Sequence, residues 1–512
     1  MTGGAGVDTA DYSGSAAGVT VDLNVLVAQT SAGDASGDKL SGIESVVGSN
    51  IGADKITGNG LANALSGDSG NDTLIGGAGN DTLTGGIGAD VITGGLGIDM
   101  LSYVDSAGGV TVNLVTNVNA GSDAAGDQLS GFENITGSKS ADSLTGDDGN
   151  NLLIGGAGAD TLNGGLGIDT VDYTGSNFIR VDLSLGVGSF NDANGDKLSG
   201  IENVIGTTGD DTIIGNGSAN RLEGSAGDDS LVGGGGNDTL IGGTDHGFFE
   251  GGTGADSVVG AALHDWVTYE HSTAAVTVNL SLSTAQVSAG EASGDILVQI
   301  EDIRGSAFND TLTGSDVKNY IEGGAGADRL DGGNGFDYAI YNTTTTLGVT
   351  VNLGGVGAQV SAGDANGDVL INIEGVDGTN QNDRLTGDAN ANGLYGELGN
   401  DTLTGGAGSD LFGFNTAAGD SDTDLITDFQ VGVGGDTLHI GNILEGYSGG
   451  SDINDFLRIA LDGGQTKVQI DVDGTANGVN FVNLAILNGI SSGLSVDTLF
   501  ANNQIDTTPV ND

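Results

Sequence analysis

The sequence predicts an all-β protein of tandem parallel β-rolls, separated by short β-rich blocks and followed by a C-terminal β domain. Three observations predict this fold. Glycine accounts for 99 of the 512 residues, so tight turns dominate the backbone. Aliphatic residues recur with a strict period of nine, and a second strand-forming segment recurs between the periodic runs. Fixed periods of this kind are typical of stacked repeat architectures.

The nine-residue period is clearest between residues 67 and 102, which contain GDSGNDTLI, GGAGNDTLT, GGIGADVIT and GGLGIDMLS. The glycines permit turns with positive φ. The three residues after each aspartate form a short strand whose central aliphatic side chain points inward. Two nonapeptides complete one coil, so residues eighteen apart stack in register about 4.8 Å from one another.

Five runs of this pattern place an acidic or amide residue at every ninth position, and Gly247 in GGTDHGFFE breaks the pattern. A partial run, GGAGVDTAD at 3 to 11, contains Asp8. The positions in the five runs are Asp54, Asn63, Asp72, Asp81, Asp90 and Asp99; Asp142, Asn151, Asp160 and Asp169; Asp211, Asn220, Asp229, Asp238, Gly247, Asp256 and Asp265; Asp310, Asn319, Asp328 and Asp337; Asp383, Asn392, Asp401 and Asp410.

The β-rich block between runs contains a tyrosine, an alternating strand such as VTVNL, and an acidic exit such as GDKLSGIE. The exits end at Glu44, Glu133, Glu202, Glu301 and Glu374. The blocks divide the chain into repeat modules at 1–102, which starts with the partial run, 103–172, 173–268, 269–340 and 341–413. Beyond 413 the period stops, and FLRIALDGGQTKVQIDV predicts a β-hairpin about an Asp-Gly-Gly turn. We therefore expect 414–512 to be a separate β domain.

The charge balance excludes several classes of protein. Seventy acidic residues against twelve basic ones give a formal charge of −58, which argues against nucleic acid as a partner and favours a bound cation. Acidic chains poor in aromatic residues are often disordered, but the strict period argues against disorder here. Cysteine is absent, so neither disulfides nor thiolate metal sites are expected. Neither a long apolar run nor an N-terminal signal peptide is visible.

Stacking the coils brings aspartates face to face, and their carboxylates repel one another unless a cation lies between the turns. Carboxylates and turn carbonyls supply the six to eight oxygen ligands that Ca²⁺ prefers, whereas Mg²⁺ demands near-octahedral geometry at shorter distances. The four histidines are dispersed, which disfavours transition metals. The sequence therefore predicts several Ca²⁺ ions as part of the fold.

These nonapeptides resemble the RTX, or haemolysin-type, calcium-binding repeats. The blocks resemble the linking segments of proteins with several such runs. The tail resembles the C-terminal target domains of type I secretion substrates, through GSDLFGF, DLITDF and VDTLFANNQI, although DTTPVND extends beyond these motifs. The resemblance implies export from a Gram-negative bacterium by type I secretion machinery, and folding on calcium at the cell surface or outside the cell.

The resemblance also implies that calcium lies where two aspartates are eighteen residues apart, and that pairs with asparagine bind more weakly. Asparagine occupies the second position of every run, either to avoid an uncompensated charge or because it suits the turn. The implied ligands are Asp8, Asp54, Asp72, Asp81, Asp90, Asp99, Asp142, Asp160, Asp169, Asp211, Asp229, Asp238, Asp256, Asp265, Asp310, Asp328, Asp337, Asp383, Asp401 and Asp410. The exit glutamates are either further ligands or structural caps.

No catalytic site is predicted. The G-x-S-x-G match at 446–450 has no histidine after it and lies in a β-rich context, unlike a nucleophile elbow. No H-E-x-x-H motif is present. We expect the histidines to be turn or surface residues. The patch of His246, Phe248, Phe249 and Trp266 is either a packed, distorted coil or a ligand groove.

We therefore expect a secreted calcium-binding protein with a structural or adhesive role at the cell surface or in the matrix. One alternative is the C-terminal part of a larger exoenzyme or adhesin; another is a module that binds glycan or ice. The partial run leaves Asp8 without an aspartate eighteen residues away, so we expect either further coils upstream or a second copy that completes the coil. Head-to-tail contacts of the latter kind form rings or filaments.

Overall fold

The computed structural model describes residues 1–261, 264–342, 346–415, 422–448, 451–474, 480–490 and 493–509. The chain forms two compact units, Met1–Gly247 and Phe248–Asp512. Most of the regular structure consists of three-residue strands in parallel sheets, which confirms the predicted all-β fold class. Among the described residues, no helix is long and apolar enough to cross a membrane.

The first unit contains three stacks of strands. One stack is parallel throughout and pairs, in spatial order, Thr9–Asp11, Ser45–Val47, Ala64–Ser66, Thr82–Thr84, Met100–Ser102, Asn134–Thr136, Leu152–Ile154, Thr170–Asp172, Asn203–Ile205, Arg221–Ser225 and Thr239–Gly243. A second parallel stack pairs Gln128–Ser130, Val91–Leu96, Thr73–Ala78, Lys55–Thr57 and Thr20–Asp22. The third contains Thr111–Asn113, Ser143–Thr145, Thr161–Asn163, Lys197–Ser199, Val187–Ser189, Arg180–Asp182, Thr212–Ile214 and Asp229–Gly235, with Val187–Ser189 antiparallel to both of its neighbours. Short 3₁₀ turns lie at Ser122–Ala124 and Asn191–Ala193.

The second unit repeats this architecture. Its longest stack contains Gly247–Thr253, Trp266–Thr268, Asp302–Arg304, Tyr320–Glu322, Tyr338–Ile340, Gly375–Asp377, Gly393–Tyr395, Leu411–Gly413, Thr437–His439 and Ile505–Asp506. Shorter stacks pair Ser257–Val259 with Ile296–Val298, and Thr277–Asn279 with Thr311–Thr313, Arg329–Asp331 and Val369–Ile371. A final stack contains Thr350–Asn352, Arg384–Thr386, Thr402–Thr404, Asp424–Ile426, Val482–Leu487, Gln465–Ile470 and Leu457–Asp462. The short helices are Gly441–Ile443, Ile453–Asp455 and Val496–Ala501.

The register of the repeat strands is eighteen residues, as the nonapeptide pattern predicts. Leu65 pairs with Leu83, and Leu83 pairs with Leu101. All three side chains are at most 2% exposed, because the central residue of each strand points into the coil. The core is therefore a column of aliphatic side chains enclosed between the stacks.

Within each unit the blocks do not interrupt the stacks. Met100–Ser102, at the end of one run, pairs with Asn134–Thr136 of the following block, and that strand pairs with Leu152–Ile154 of the next run. Each block is thus one longer coil in the same register. The module boundaries inferred from the sequence stay a prediction.

The tail contains the predicted hairpin, since Leu457–Asp462 is antiparallel to Gln465–Ile470 about a turn at Gly463 and Gly464, both with positive φ. Leu457 at the far end of the hairpin is fully buried, whereas Leu461 beside the turn is 60% exposed. The tail also continues the repeat stacks, because Asp424–Ile426 pairs with Thr402–Thr404.

Candidate metal centre

The run aspartates form ladders along the stacks. Within a run, the backbone N–H of an aspartate donates to Oδ1 of the aspartate one coil later, as in Asp54 to Asp72 at 2.6 Å, Asp72 to Asp90 at 2.7 Å and Asp81 to Asp99 at 2.8 Å. Residues eighteen apart are therefore brought together as predicted. This hydrogen bond is accepted by Oδ1. The other carboxylate oxygen, Oδ2, faces the glycine turn.

That second oxygen is the main feature of the site. Among the described residues, a large set of run aspartates has an Oδ2 atom that is buried and has no hydrogen-bond donor. The set is Asp72, Asp81, Asp90, Asp99, Asp160, Asp169, Asp229, Asp328, Asp337, Asp401 and Asp410. Each of these residues is at most 2% exposed. Buried anionic oxygens without partners are costly unless a cation binds them.

The first glycine of each nonapeptide leaves space beside this oxygen. A Cβ atom on Gly67 would lie 2.4 Å from Oδ2 of Asp72 and 2.5 Å from the carbonyl oxygen of Gly85 in the next coil. Gly76 has the same surroundings, 2.4 Å from Oδ2 of Asp81 and 2.6 Å from the carbonyl oxygen of Gly94. Carboxylate and carbonyl oxygens thus converge where only glycine leaves room.

The residue four positions before the aspartate determines whether Oδ2 has a donor. Before Asp160 and Asp169 this residue is Gly156 or Gly165, with φ of 82° and 111°, and it offers the carboxylate no N–H. The same holds where the residue is not glycine: Ser225 before Asp229 has φ of 89°. Positive φ at this position therefore accompanies every unpartnered Oδ2 in the set.

The first aspartate of each run has the opposite arrangement. Ser138 donates its backbone N–H to Oδ2 of Asp142 at 2.6 Å, and its hydroxyl lies 3.0 Å from Oδ1. Val110 of the preceding block donates to the same Oδ1. A serine or threonine plays this part for Asp54, Asp211, Asp310 and Asp383 as well.

Two other predicted ligands are also satisfied within the chain. Ala261 donates to Oδ2 of Asp265 at 2.5 Å. Asp8 accepts from Gly4 at 2.6 Å, and its own N–H donates to Glu44. Asp8 thus bonds to an exit glutamate thirty-six residues away, as Asp99 at the end of a run bonds to Glu133.

Asparagine at the second position has a direct role. Nδ2 of Asn151 donates to the backbone carbonyl of Glu133 at 2.7 Å, while its Oδ1 accepts from the N–H of Asp147 at 2.8 Å. An aspartate at position 151 would place a carboxylate oxygen, which cannot donate, against the carbonyl oxygen of Glu133. Asn63, Asn220, Asn319 and Asn392 donate in the same way to the preceding exit glutamate.

The blocks contribute acidic residues that sequence reasoning did not single out. Asp127 accepts the N–H of Asp90 at 2.8 Å and the hydroxyl of Tyr103 at 2.7 Å. The exit residue Glu133 accepts the N–H of Asp99 at 2.8 Å, which supports the capping interpretation of these glutamates. A sequence signal exists for the aspartate, since it stands six residues before each exit glutamate.

Two further predicted calcium ligands and the irregular nonapeptide lie in the third run. Asp238 and Asp256 are buried, and each follows a glycine of positive φ by four residues. At the irregular nonapeptide, Asp229 donates its N–H to the backbone carbonyl of His246, which replaces the missing carboxylate at Gly247.

The aromatic patch is buried in part. Phe249 is fully buried, and Arg304 lies over Phe248 at 5.9 Å. His439 is 2% exposed and binds the carbonyl of Thr508, so its predicted place at the surface is wrong: the C-terminal strand covers it. The G-x-S-x-G match at 446–450 lies partly outside the described residues.

Burial raises the pKa of the ladder carboxylates. The pKa of Asp72, Asp160 and Asp337 rises to about 7, and that of Asp229 and Asp328 to about 8. The cause is loss of hydration, reinforced by neighbouring carboxylates and partly offset by the N–H of the previous coil. A bound cation reverses this balance and favours the ionised form.

The donor set fits a hard cation. It consists of carboxylate and backbone carbonyl oxygens, which suit Ca²⁺, and contains no nitrogen or sulfur ligand. Within the described part of the chain, no three acidic or imidazole side chains gather around one point. Backbone carbonyls must therefore supply much of the coordination.

Comparison with known proteins agrees with this chemistry. The family model for the RTX calcium-binding nonapeptide repeat matches residues 66–101, 136–171, 198–231, 214–249, 232–267, 303–339 and 377–412. No curated protein matches the chain. Extracellular lipase LipA from Serratia marcescens aligns at 15% identity and a TM-score of 0.17, over 58% of this chain and 40% of the lipase chain. The chain thus spans well under two thirds of the lipase's length, and so weak a likeness implies nothing about activity.

Proposed function

Because this chain carries RTX calcium-binding nonapeptide repeats, we propose that it is a secreted structural or adhesive protein whose coils fold on several calcium ions outside the cell. Each ion is held by the ladder carboxylates with an unpartnered Oδ2 together with turn carbonyls. Low free calcium inside the cell leaves the chain unfolded, and calcium outside completes the stacks.

The observation that carries this proposal is the set of buried Oδ2 atoms without donors from Asp72 to Asp410. A net charge of −58 adds repulsion across the whole molecule. At ten times its dissociation constant each independent ion adds about 1.4 kcal/mol. About ten ions therefore match the net stability of about 5 to 15 kcal/mol that is typical of a folded domain.

The test is far-ultraviolet circular dichroism of the full chain, freed of metal and then titrated with Ca²⁺. We expect the β signal of the repeat runs to be lost without calcium and to return cooperatively on titration. Magnesium at the same concentration is the matched control and should restore little of it. An unchanged spectrum in the metal-free protein would contradict calcium-dependent folding.

Two finer parts of the function rest on the sequence alone. The tail at 414–512 serves export through type I secretion machinery, and its removal traps the protein inside the cell. Copies join head to tail through the first coil, and calcium controls the assembly. Light scattering of the calcium-loaded chain tests the second point, since growth should be absent in a variant lacking residues 1–11.

A further inference from the structure

In each block, one repeat ladder ends on an aspartate that is bonded to a tyrosine. Tyr103 donates its hydroxyl to Oδ2 of Asp127 at 2.7 Å, while Oδ1 of the same carboxylate accepts the N–H of Asp90. Oδ2 is the oxygen that stays without a donor in Asp72, Asp90 and Asp160. The tyrosine hydroxyl therefore takes the place that the repeats leave for the ion.

The same pair recurs in every block. Tyr173 binds Asp196 at 2.9 Å, Tyr269 binds Asp295 at 3.0 Å, and Tyr341 binds Asp368 at 3.0 Å. The first block has Tyr12 on Asp38 at 2.9 Å. In the later four blocks both partners are at most 3% exposed, so water does not replace the hydroxyl.

The other end of each block is closed as well. Nδ2 of Asn151 binds the carbonyl of Glu133, and Ser138 caps Asp142. In the fully described stretch from Tyr103 to Asn151, no buried carboxylate oxygen lacks a donor. The first such oxygen beyond it belongs to Asp160. From Tyr103 to Asn151, donors within the protein thus satisfy every buried carboxylate oxygen. The neighbouring coil, which begins at Asp160, has carboxylate oxygens that are left for calcium.

We propose that Tyr103, Tyr173, Tyr269 and Tyr341 are positioning residues that replace the ion at the end of the first four runs, so that the blocks hold their structure without calcium. The blocks then act as preformed templates on which the calcium-dependent coils stack. This inference rests on the proposed calcium-dependent folding. It states which segments of the chain need calcium to fold and which do not.

Hydrogen exchange followed by mass spectrometry tests this inference on the full chain, with and without Ca²⁺. In the metal-free wild type we expect amides of 103–133 to exchange at least tenfold more slowly than amides of 72–99. In Tyr103→Phe, Oδ2 of Asp127 loses its donor and becomes like a repeat carboxylate. Protection of 103–133 should then require calcium and return when it is added.

Three further variants separate this role from simple packing. Tyr173→Phe should remove metal-free protection from 173–202 and leave 103–133 unchanged. Tyr103→Phe combined with Asp127→Asn removes the charge along with its donor, so calcium should no longer restore 103–133 selectively. Tyr338→Phe, whose ring lies over Gly375 and Gly393, should leave the exchange pattern unchanged.

The outcomes distinguish the two proposals. If 103–133 exchanges as fast as 72–99 in the metal-free wild type, or if Tyr103→Phe has no local effect, the tyrosines do not play this part. If 72–99 stays protected without calcium, the proposed calcium-dependent folding fails, whatever the blocks do.

Discussion

Two adjacent coils of one run differ in the backbone of their turns and in one side chain, which is Asn151 in the first coil and Asp169 in the second. The coil of Asp142 and Asn151 and the coil of Asp160 and Asp169 share the nonapeptide spacing, the same stacks and the same burial. In the first coil, Ser138 and Asp147 have negative φ and donate their backbone N–H groups to Asp142 and Asn151. In the second coil, Gly156 and Gly165 have positive φ and donate no N–H to the aspartates. For Asp142 and Asp160, the backbone conformation four residues earlier therefore determines whether Oδ2 has a donor within the chain.

The largest expected effect comes from pH in the absence of metal. Folding raises the pKa of Asp160 to about 7 and of Asp169 to about 6, above the usual value near 4. A raised folded pKa contributes stability that is present at low pH and lost as the pH rises through the folded value. The metal-free repeats should therefore be more ordered at pH 5 than at pH 8.

Circular dichroism of protein desalted into metal-free buffer measures this difference, and hydrogen exchange locates it. The gain at pH 5 should fall in 156–172 more than in 138–151. With calcium present the dependence reverses, because protons compete with the ion for the same oxygens. Equal order at pH 5 and pH 8 without metal would show that the buried carboxylates do not limit folding.

Next in size is the contrast between Asp160→Ala and Asp142→Ala. Asp160→Ala removes a carboxylate oxygen that is left for the ion. Calorimetric titration should therefore show fewer bound calcium ions and a higher calcium concentration at the midpoint of folding. The second removes hydrogen bonds to a charged group, each contributing about 1.5 to 3 kcal/mol, so stability should fall with the ion count unchanged. Identical ion counts in both variants would contradict the proposal that Asp160 binds an ion and Asp142 does not.

A smaller change should convert one kind of position into the other. Ser138→Gly removes the hydroxyl bonded to Asp142 and allows positive φ at that position. We expect the metal-free protein to lose about 1 to 3 kcal/mol and to bind one more calcium ion. Ser140→Gly in the same turn is the matched control, because the hydrogen bonds to Asp142 come from Val110 and Ser138, and it should leave the ion count unchanged.

The smallest effect concerns Ser225, which adopts φ of 89° without being glycine. Left-handed conformations cost other residues about 1 to 2 kcal/mol. Ser225→Gly should therefore raise the melting temperature of the calcium-loaded protein by a few degrees, with its ion count unchanged. A lower melting temperature would mean that the serine side chain contributes more than its backbone strain costs.

The sequence was sufficient to predict the repeated parts of this molecule. The period of nine predicts the inward column of Leu65 and Leu83 and the pairing of aspartates eighteen apart, because both follow from strand geometry. It did not predict the partner of Tyr103, which lies twenty-four residues away in a segment without a short period. Nor did it predict positive φ at Ser225 or Glu397, which neither residue type favours.

The separation of core and capping positions has an evolutionary consequence. Register depends on the aliphatic residue at the centre of each strand, whereas the presence of a donor to Oδ2 depends on a residue in the turn, four places before the aspartate. On the proposed calcium sites, a single codon change between glycine and serine would therefore add or remove an ion without altering the stack. A lineage of such proteins can adjust its response to the calcium of its habitat while every coil keeps its shape.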